Sequence, residues 1–226
     1  AKAKQKAEKA DRSTGKKPTN TPTFEKKKAS LAEQWGAMAI EASRLKTQVF
    51  LLGMPQEGRS PMGEFDKNKL PKGRLKITNR PSPILDKPKG AFWTSSLKGS
   101  SSGWIEWCSW EMPHWIGNQA VLFKPKGGAK VLWIRSSQDY QDIVDRYPFE
   151  GKFGDRGIDW ESLSKDYDAV TCPGGRCIYG WDAESTAWFN MNALQFERVV
   201  DVKHKCTIPD DGDDWGPTKE YELKVG

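Results

Sequence analysis

Apolar residues first recur in register at Leu31, Trp35, Met38, Ala39, Ala42 and Leu45, three and four residues apart, the period of a helix with one apolar face. Ser30 followed by Glu33 supplies a capping box, so the pattern predicts an amphipathic helix from Leu31 to about Val49, ending before Gly53 and Pro55. Its apolar face would dock on the domain that follows or bind a partner. Residues 54–73, rich in Pro, Gly and Lys, read as a linker loop. Short β-like runs come next. Leu75-Lys-Ile-Thr78 alternates, and Ala91-Phe-Trp-Thr-Ser95 is bounded by Gly90 and a Gly/Ser-rich stretch. Ala120–Phe123 and Val131–Ile134 flank a Lys-Gly-Gly turn. Ser137–Tyr147 reads as a helix with Ile143 and Val144 inward, and Asp159 caps another through Trp160, Leu163 and Tyr167. Ala169–Thr171, Ile178-Tyr179, Thr186–Phe189 and Phe196–Val202 complete the set of strands. Many short strands with interposed helices predict an α+β class with an antiparallel-rich core and flanking helices. The organisation expected is a basic arm at 1–29, a helix at 30–53, a linker at 54–73 and a tryptophan-rich domain at 74–226.

Charge changes this picture at one end. Residues 1–28 carry ten bases against three acids, leaving 26 bases and 27 acids for the rest, so the net charge of +6 belongs to the arm. With almost no apolar side chains the arm cannot offset its own ordering entropy, and disorder is expected unless a partner holds it. It suits attachment to nucleic acid or another acidic partner, or serves as a solubilising tail or a linker from a larger chain. No run of about 18 apolar residues exists to span a membrane, and Val49–Met54 is too short and too late for a signal peptide. A cytoplasmic or virion-associated location, away from membranes, is the expectation.

Four cysteines and two histidines bring metal chemistry into question. Cys172 and Cys177 face each other across a Pro-Gly turn, and His204 with Cys206 could complete a tetrahedral zinc set. A hairpin disulfide between Cys172 and Cys177 is the alternative in an oxidising compartment. The second pair lacks knuckle spacing, so plain thiols with no metal are expected. P-loop, dinucleotide-binding GxGxxG and HExxH motifs are all missing, and two histidines distant from any candidate serine argue against a serine or cysteine protease.

Five of the eleven tryptophans (Trp93, Trp104, Trp107, Trp110 and Trp115) fall within 23 residues. Such side chains fill cores, and they also supply flat apolar walls with a polar handle for holding a planar ring. Around them runs a definite order. Arg80 ends Leu75-Lys-Ile-Thr-Asn-Arg80, Phe92-Trp-Thr-Ser-Ser96 follows, a Trp/Glu-rich helix covers Trp104–Glu111, and Glu184 opens the strand of Trp181-Asp-Ala-Glu-Ser-Thr-Ala-Trp188. This order resembles the Arg…Ser-Thr-Ser…Glu layout of mono-ADP-ribosyltransferases over roughly residues 74–202. It is also similar to a loose set of uncharacterised phage and bacterial proteins sharing the Lys-Pro-x-Gly, Trp-x-Ser, Ile-Asp-Trp, Tyr-Asp and Trp-Asp landmarks. Thr94-Ser95-Ser96 stands where the family has Ser-Thr-Ser, and Asp182-Ala183-Glu184 where it has Glu/Gln-x-Glu.

The resemblance implies a split β-sandwich core, NAD as substrate, and a protein or nucleic-acid acceptor. It implies Glu184 as the catalytic carboxylate, Ser95 orienting it or the ribose, and Asp182 at the acceptor-activating position. Arg80 would hold the pyrophosphate, with Ser96 beside it, and Trp93 or Tyr179 would wall the nicotinamide. The alternative expectation is a non-enzymatic virion or nucleic-acid-associated protein anchored by its arm.

Overall fold

Four consecutive buried residues, Gln48–Leu51, form β1 in the middle of the sheet in this computed structural model. The structure describes residues 45–54, 65–83, 86–174, 177–207 and 218–226, with side chains at all of these except 204–207 and 218–219. The basic arm, most of the amphipathic helix, and the His204 and Cys206 side chains lie outside the described residues. Where the helical expectation reached Val49, the chain is instead extended. Val49-Phe-Leu-Leu52 is apolar at every position, as a strand buried on both faces must be, and that overrides the helical period arriving from Leu45.

The remaining strands are β2 (Phe92–Lys98), β3 (Ser101–Ser102), β4 (Gln119–Pro125), β5 (Val131–Trp133), β6 (Pro148–Glu150), β7 (Arg156–Ile158), β8 (Ala169–Cys172), β9 (Ser185–Trp188), β10 (Leu194–Thr207) and β11 (Thr218–Leu223). Among the described residues three α-helices join them: α1 (Gly103–Glu111), α2 (Ser137–Arg146) and α3 (Trp160–Asp166). The molecule is thus α+β. Its nine-stranded mixed sheet runs β11-β10-β4-β1-β2-β9-β8-β5, with β3 paired to β2, and it does not close into a barrel. All pairings in it are antiparallel except β5–β8; β6 and β7 form a separate hairpin. Leu75–Thr78 makes no strand, only the isolated bridges Arg74↔Asn190 and Thr78↔Lys89, and Ile178-Tyr179 belongs to a turn. Arg74 is tied to Asp168 and to the carbonyl oxygens of Ser164 and Tyr167, which holds this segment against α3 rather than in the sheet.

Alternation sorts the core onto two faces. Val49, Leu51, Ala120 and Leu122 join the helix-covered side, with Ile105 and Cys108 of α1, Ile143 and Val144 of α2, and Leu163 of α3. Phe50, Leu52, Val121, Phe123 and Trp188 pack on the other side beneath Phe65, Leu70 and Met191–Leu194. Caps fix the helix starts. Ser102 accepts from Ile105 N, Ser136 and Asp139 form a reciprocal capping box, and Asp159 accepts from Ser162 N.

β2 is shared between two halves of the sheet. Its residues Phe92–Thr94 pair with β9, whereas Ser95 and Ser96 pair with Val49 and Gln48 of β1. Beyond Thr94 the β9 chain departs, and the sheet parts there.

Candidate functional site

The parting leaves one β2 amide without a strand partner, and Glu184 takes it. Ser96 N–H donates to Glu184 Oε2 at 2.7 Å, and Ser96 Oγ donates to Oε1 at 3.0 Å. The carboxylate continues the ladder that β9 leaves at the Thr94–Thr186 pair, two residues earlier. Behind it lies a chain of bonds with a fixed direction. Trp188 Nε1 donates to Thr94 Oγ1 (2.8 Å), Thr94 donates to Gln48 Oε1 (2.6 Å), and Gln48 Nε2 donates to Ser96 Oγ (3.2 Å). Gln48, Thr94 and Trp188 are fully buried, so each donor is committed and the Ser96 hydroxyl proton is directed at Glu184. Gly103, the first residue of α1, makes room: a Cβ there would sit 3.1 Å from Glu184 Cβ and 3.3 Å from Oε2.

Burial pushes the Glu184 carboxyl above the usual glutamate range. The two Ser96 bonds and nearby Lys98 pull it back, while Glu106 pushes it up. The Ser96 hydroxyl bonds the charged form, so Ser96→Ala raises this pKa further. Any activity that needs the ionised carboxylate then loses its acid limb at a higher pH than wild type. A pH profile of the two proteins measures that displacement; coincident profiles would contradict the assigned bond.

On the neighbouring side of the same segment, a cavity of about 350 Å³ is lined by Trp93, Trp104, Trp107, Trp115, Trp181, Met54, Lys87 and the run Asp182-Ala183 with Ser185. Trp93 meets Trp181 edge-on at 4.7 Å, and Trp160 stacks behind Trp181 at 6.2 Å and 21°. Trp104 Nε1 donates to Ser185 Oγ at 2.8 Å, tying α1 to the start of β9. Glu184 lies between cavity-lining Ala183 and Ser185, but its carboxylate turns to Ser96.

The aromatic wall is anchored on Asp86, which is 3% exposed. Its Oδ1 accepts from Trp160 Nε1 (2.5 Å), its Oδ2 from Tyr140 Oη (2.7 Å) and Ile158 N (3.1 Å), and its backbone oxygen from Trp181 Nε1 (3.0 Å). Desolvation holds the Asp86 carboxyl above the ordinary aspartate value against the three donors that lower it.

Of the residues expected to form the site, Glu184 and Ser96 meet directly, and Trp93 and Asp182 line the cavity. Three others do not join them. Ser95 is fully buried on the opposite side of β2 from Ser96, where its Oγ accepts from Trp104 N at 3.3 Å. Strand alternation places residues 94 and 96 on Glu184's side, so the orienting role expected of Ser95 falls to Ser96. Arg80 lines a separate closed crevice with Asn79, Pro83, Asp86, Phe149 and Trp160. Lys87 borders both spaces and is the cation on the tryptophan cavity. Tyr179 is 74% exposed in a turn and contributes no wall to the cavity.

A scan against protein-family models, a search of curated proteins and a search of solved structures each found no match. The site therefore stands on its own geometry.

Sequence reasoning missed Gln48, Lys87, Trp181 and Asp86. Only Trp181 carried a signal, through its place beside Asp182 and Glu184. Cys172 and Cys177 are free thiols in mutual contact, and burial raises Cys172 to about 11 and Cys108 to about 12, which leaves both protonated and inert. Among the described residues no group of three potential metal ligands is found.

Proposed function

We propose that this chain is an NAD-consuming transferase of the mono-ADP-ribosyltransferase type, acting on a protein or nucleic-acid acceptor. The observation carrying the reading is the pairing of the Glu184 carboxylate with both donors of Ser96 where β2 and β9 part. Cleavage of the bond between ribose C1′ and the nicotinamide nitrogen sends the bonding electron pair out with neutral nicotinamide and leaves an oxocarbenium-like ribosyl cation. A fixed, largely desolvated carboxylate favours that cation because it needs no solvent reorganisation as charge develops. The acceptor's lone pair then takes C1′ and its proton is released.

The tryptophan cavity supports the substrate class. Nicotinamide in NAD is a flat cationic ring, and indole faces attract such a cation when water is excluded. In this reading Lys87, rather than Arg80, meets the pyrophosphate, and Asp182 lies at the cavity where an acceptor would enter. No helix among the described residues is long and apolar enough to cross a membrane. A virion-associated or cytoplasmic setting, with the basic arm on nucleic acid, remains part of the proposal.

Two observations favour a second reading. Arg80 sits in its own crevice and Ser95 is sealed away, which fits a non-enzymatic nucleic-acid-associated protein with an aromatic binding cavity. Titration of NAD into the full chain, followed by tryptophan fluorescence, separates the two. The transferase reading expects a saturable quench that Lys87→Glu weakens at least tenfold. A flat titration would remove NAD from the account and leave the second reading.

A further inference from the structure

A second concavity lies on the opposite face of the sheet from the helices. It is a groove of about 280 Å³ whose floor includes Phe123 and Phe196 and whose rim carries Lys67 and Lys72, with the amides of Asn68 and Asn192 between them. Phe196 is half-buried. One neighbour, Phe65, stacks on it at 5.3 Å and 10°, and Phe123 meets it edge-on at 6.3 Å. Lys67 Nζ stands 5.0 Å over the ring. The short helical turn Lys67–Lys69 carries all three of its residues exposed, and among the described residues no acidic side chain lines the groove. Of the acids next to groove-lining residues in the sequence, Asp66 is occupied as the cap of that turn, accepting from Asn68 N at 2.9 Å, and Glu197 is exposed beside Phe196 without lining the groove.

The position of Phe196 follows from the strand. Phe196 pairs with Phe123 across the sheet, but Arg198, not Glu197, pairs with Leu122, so a bulge follows the ring directly. Such bulges interrupt the ladder and bend the strand. The ring is braced by Phe65 and Phe123, and the exposed Lys67 ammonium stands over it at the groove's edge.

We infer that this groove binds single-stranded nucleic acid, one base stacking on Phe196 with the flanking phosphates taken by Lys67 and Lys72. A cation parked over a ring is exchangeable cover. When a base slides onto the ring, the Lys67 ammonium gains a phosphate a short swing away, and the two asparagine amides offer donors and acceptors to a base edge. Aromatic stacking together with a basic rim is the chemistry by which proteins hold single strands without reading sequence. A duplex presents no unstacked base to the ring. The inference is independent of the NAD reading, since the groove and the tryptophan cavity share no residue.

Fluorescence anisotropy of the full chain with a labelled oligothymidylate, and with a labelled duplex of equal length, tests it. The arm stays in place in every variant, so its contribution cancels. Phe196→Leu keeps an apolar side chain against Phe65 and Phe123 but removes the stacking face, and is expected to weaken single-strand binding about tenfold while leaving duplex binding unchanged. Phe196→Tyr restores the face and is expected to bind as wild type, which separates stacking from misfolding. Lys67→Ala with Lys72→Ala is expected to flatten the salt dependence by about 0.7 log units per lysine. Unchanged single-strand affinity in Phe196→Leu, equal loss on both nucleic acids, or failure of Phe196→Tyr to restore binding would each overturn the inference.

Discussion

Glu184→Gln is expected to lower the rate of nicotinamide release from NAD by about 10²- to 10³-fold while leaving NAD affinity unchanged. The substitution is unusually clean because the hydrogen bonding adapts to it. The glutamine oxygen can accept from Ser96 N–H as Oε2 does, and the amide nitrogen can donate to Ser96 Oγ, which has a lone pair to spare besides the one facing Gln48 Nε2. Shape and position survive, and only the negative charge is lost. Initial rates together with a binding titration make the distinction. A variant that lost affinity and rate in equal proportion would assign Glu184 to binding. On the transferase reading, the wild-type chain should also lose activity as the pH falls through the raised Glu184 pKa, because the protonated carboxyl has no charge to offer the ribosyl cation.

Asp86→Ala is expected to cost about 3–5 kcal/mol of folding stability, read as a fall in the urea midpoint. Alanine leaves Trp160 Nε1, Tyr140 Oη and Ile158 N buried without their acceptor. Asp86→Asn keeps one acceptor oxygen but turns N–H groups toward a donor, so a loss of roughly 1–3 kcal/mol is expected. The pH dependence has a definite sign. The folded-state pKa is raised, so between the ordinary aspartate value and that raised pKa the folded form holds the proton more tightly than the unfolded chain. This group's contribution to stability is therefore fully present below the ordinary value and is lost as pH rises through the window. Urea melts at acid and neutral pH should show the wild-type slope and its absence in Asp86→Asn. Identical pH dependence in the two proteins would contradict the assignment.

Much of this architecture is legible along the chain where local signals and tertiary demands agree. The aromatic run at Phe92, the helical reading of Ser137–Tyr147 with Ile143 and Val144 inward, and the cap at Asp159 each predicted an element that is present. Legibility fails where a long-range partner decides. Gln48–Leu51 follows a helical period yet completes the sheet between β2 and β4, and nothing local announces strands more than 40 residues away. Leu75–Thr78 alternates as a strand should, but Arg74 binds it to α3 instead. Asp86 lies in a Pro/Lys-rich stretch that reads as surface, and its burial depends on indole and phenol donors from residues 140, 160 and 181.

The site shows the same division. The order Thr-Ser-Ser then Glu located the two segments that meet, because the residue types were visible. Which serine faces the glutamate depends on a one-residue phase of strand alternation, and Ser96 rather than Ser95 has it. Arg80 was assigned by order alone, and order does not fix which side of Trp160 a side chain occupies. Lys87 lies seven residues further on and borders the cavity that Arg80 does not.

The most direct test of the central claim is to incubate the full chain with NAD and quantify free nicotinamide over time, with water as the default acceptor. The account predicts release that is linear with protein concentration and reduced at least a hundredfold in Glu184→Gln. Release equal in wild type and variant, or none from either at saturating NAD, would contradict it.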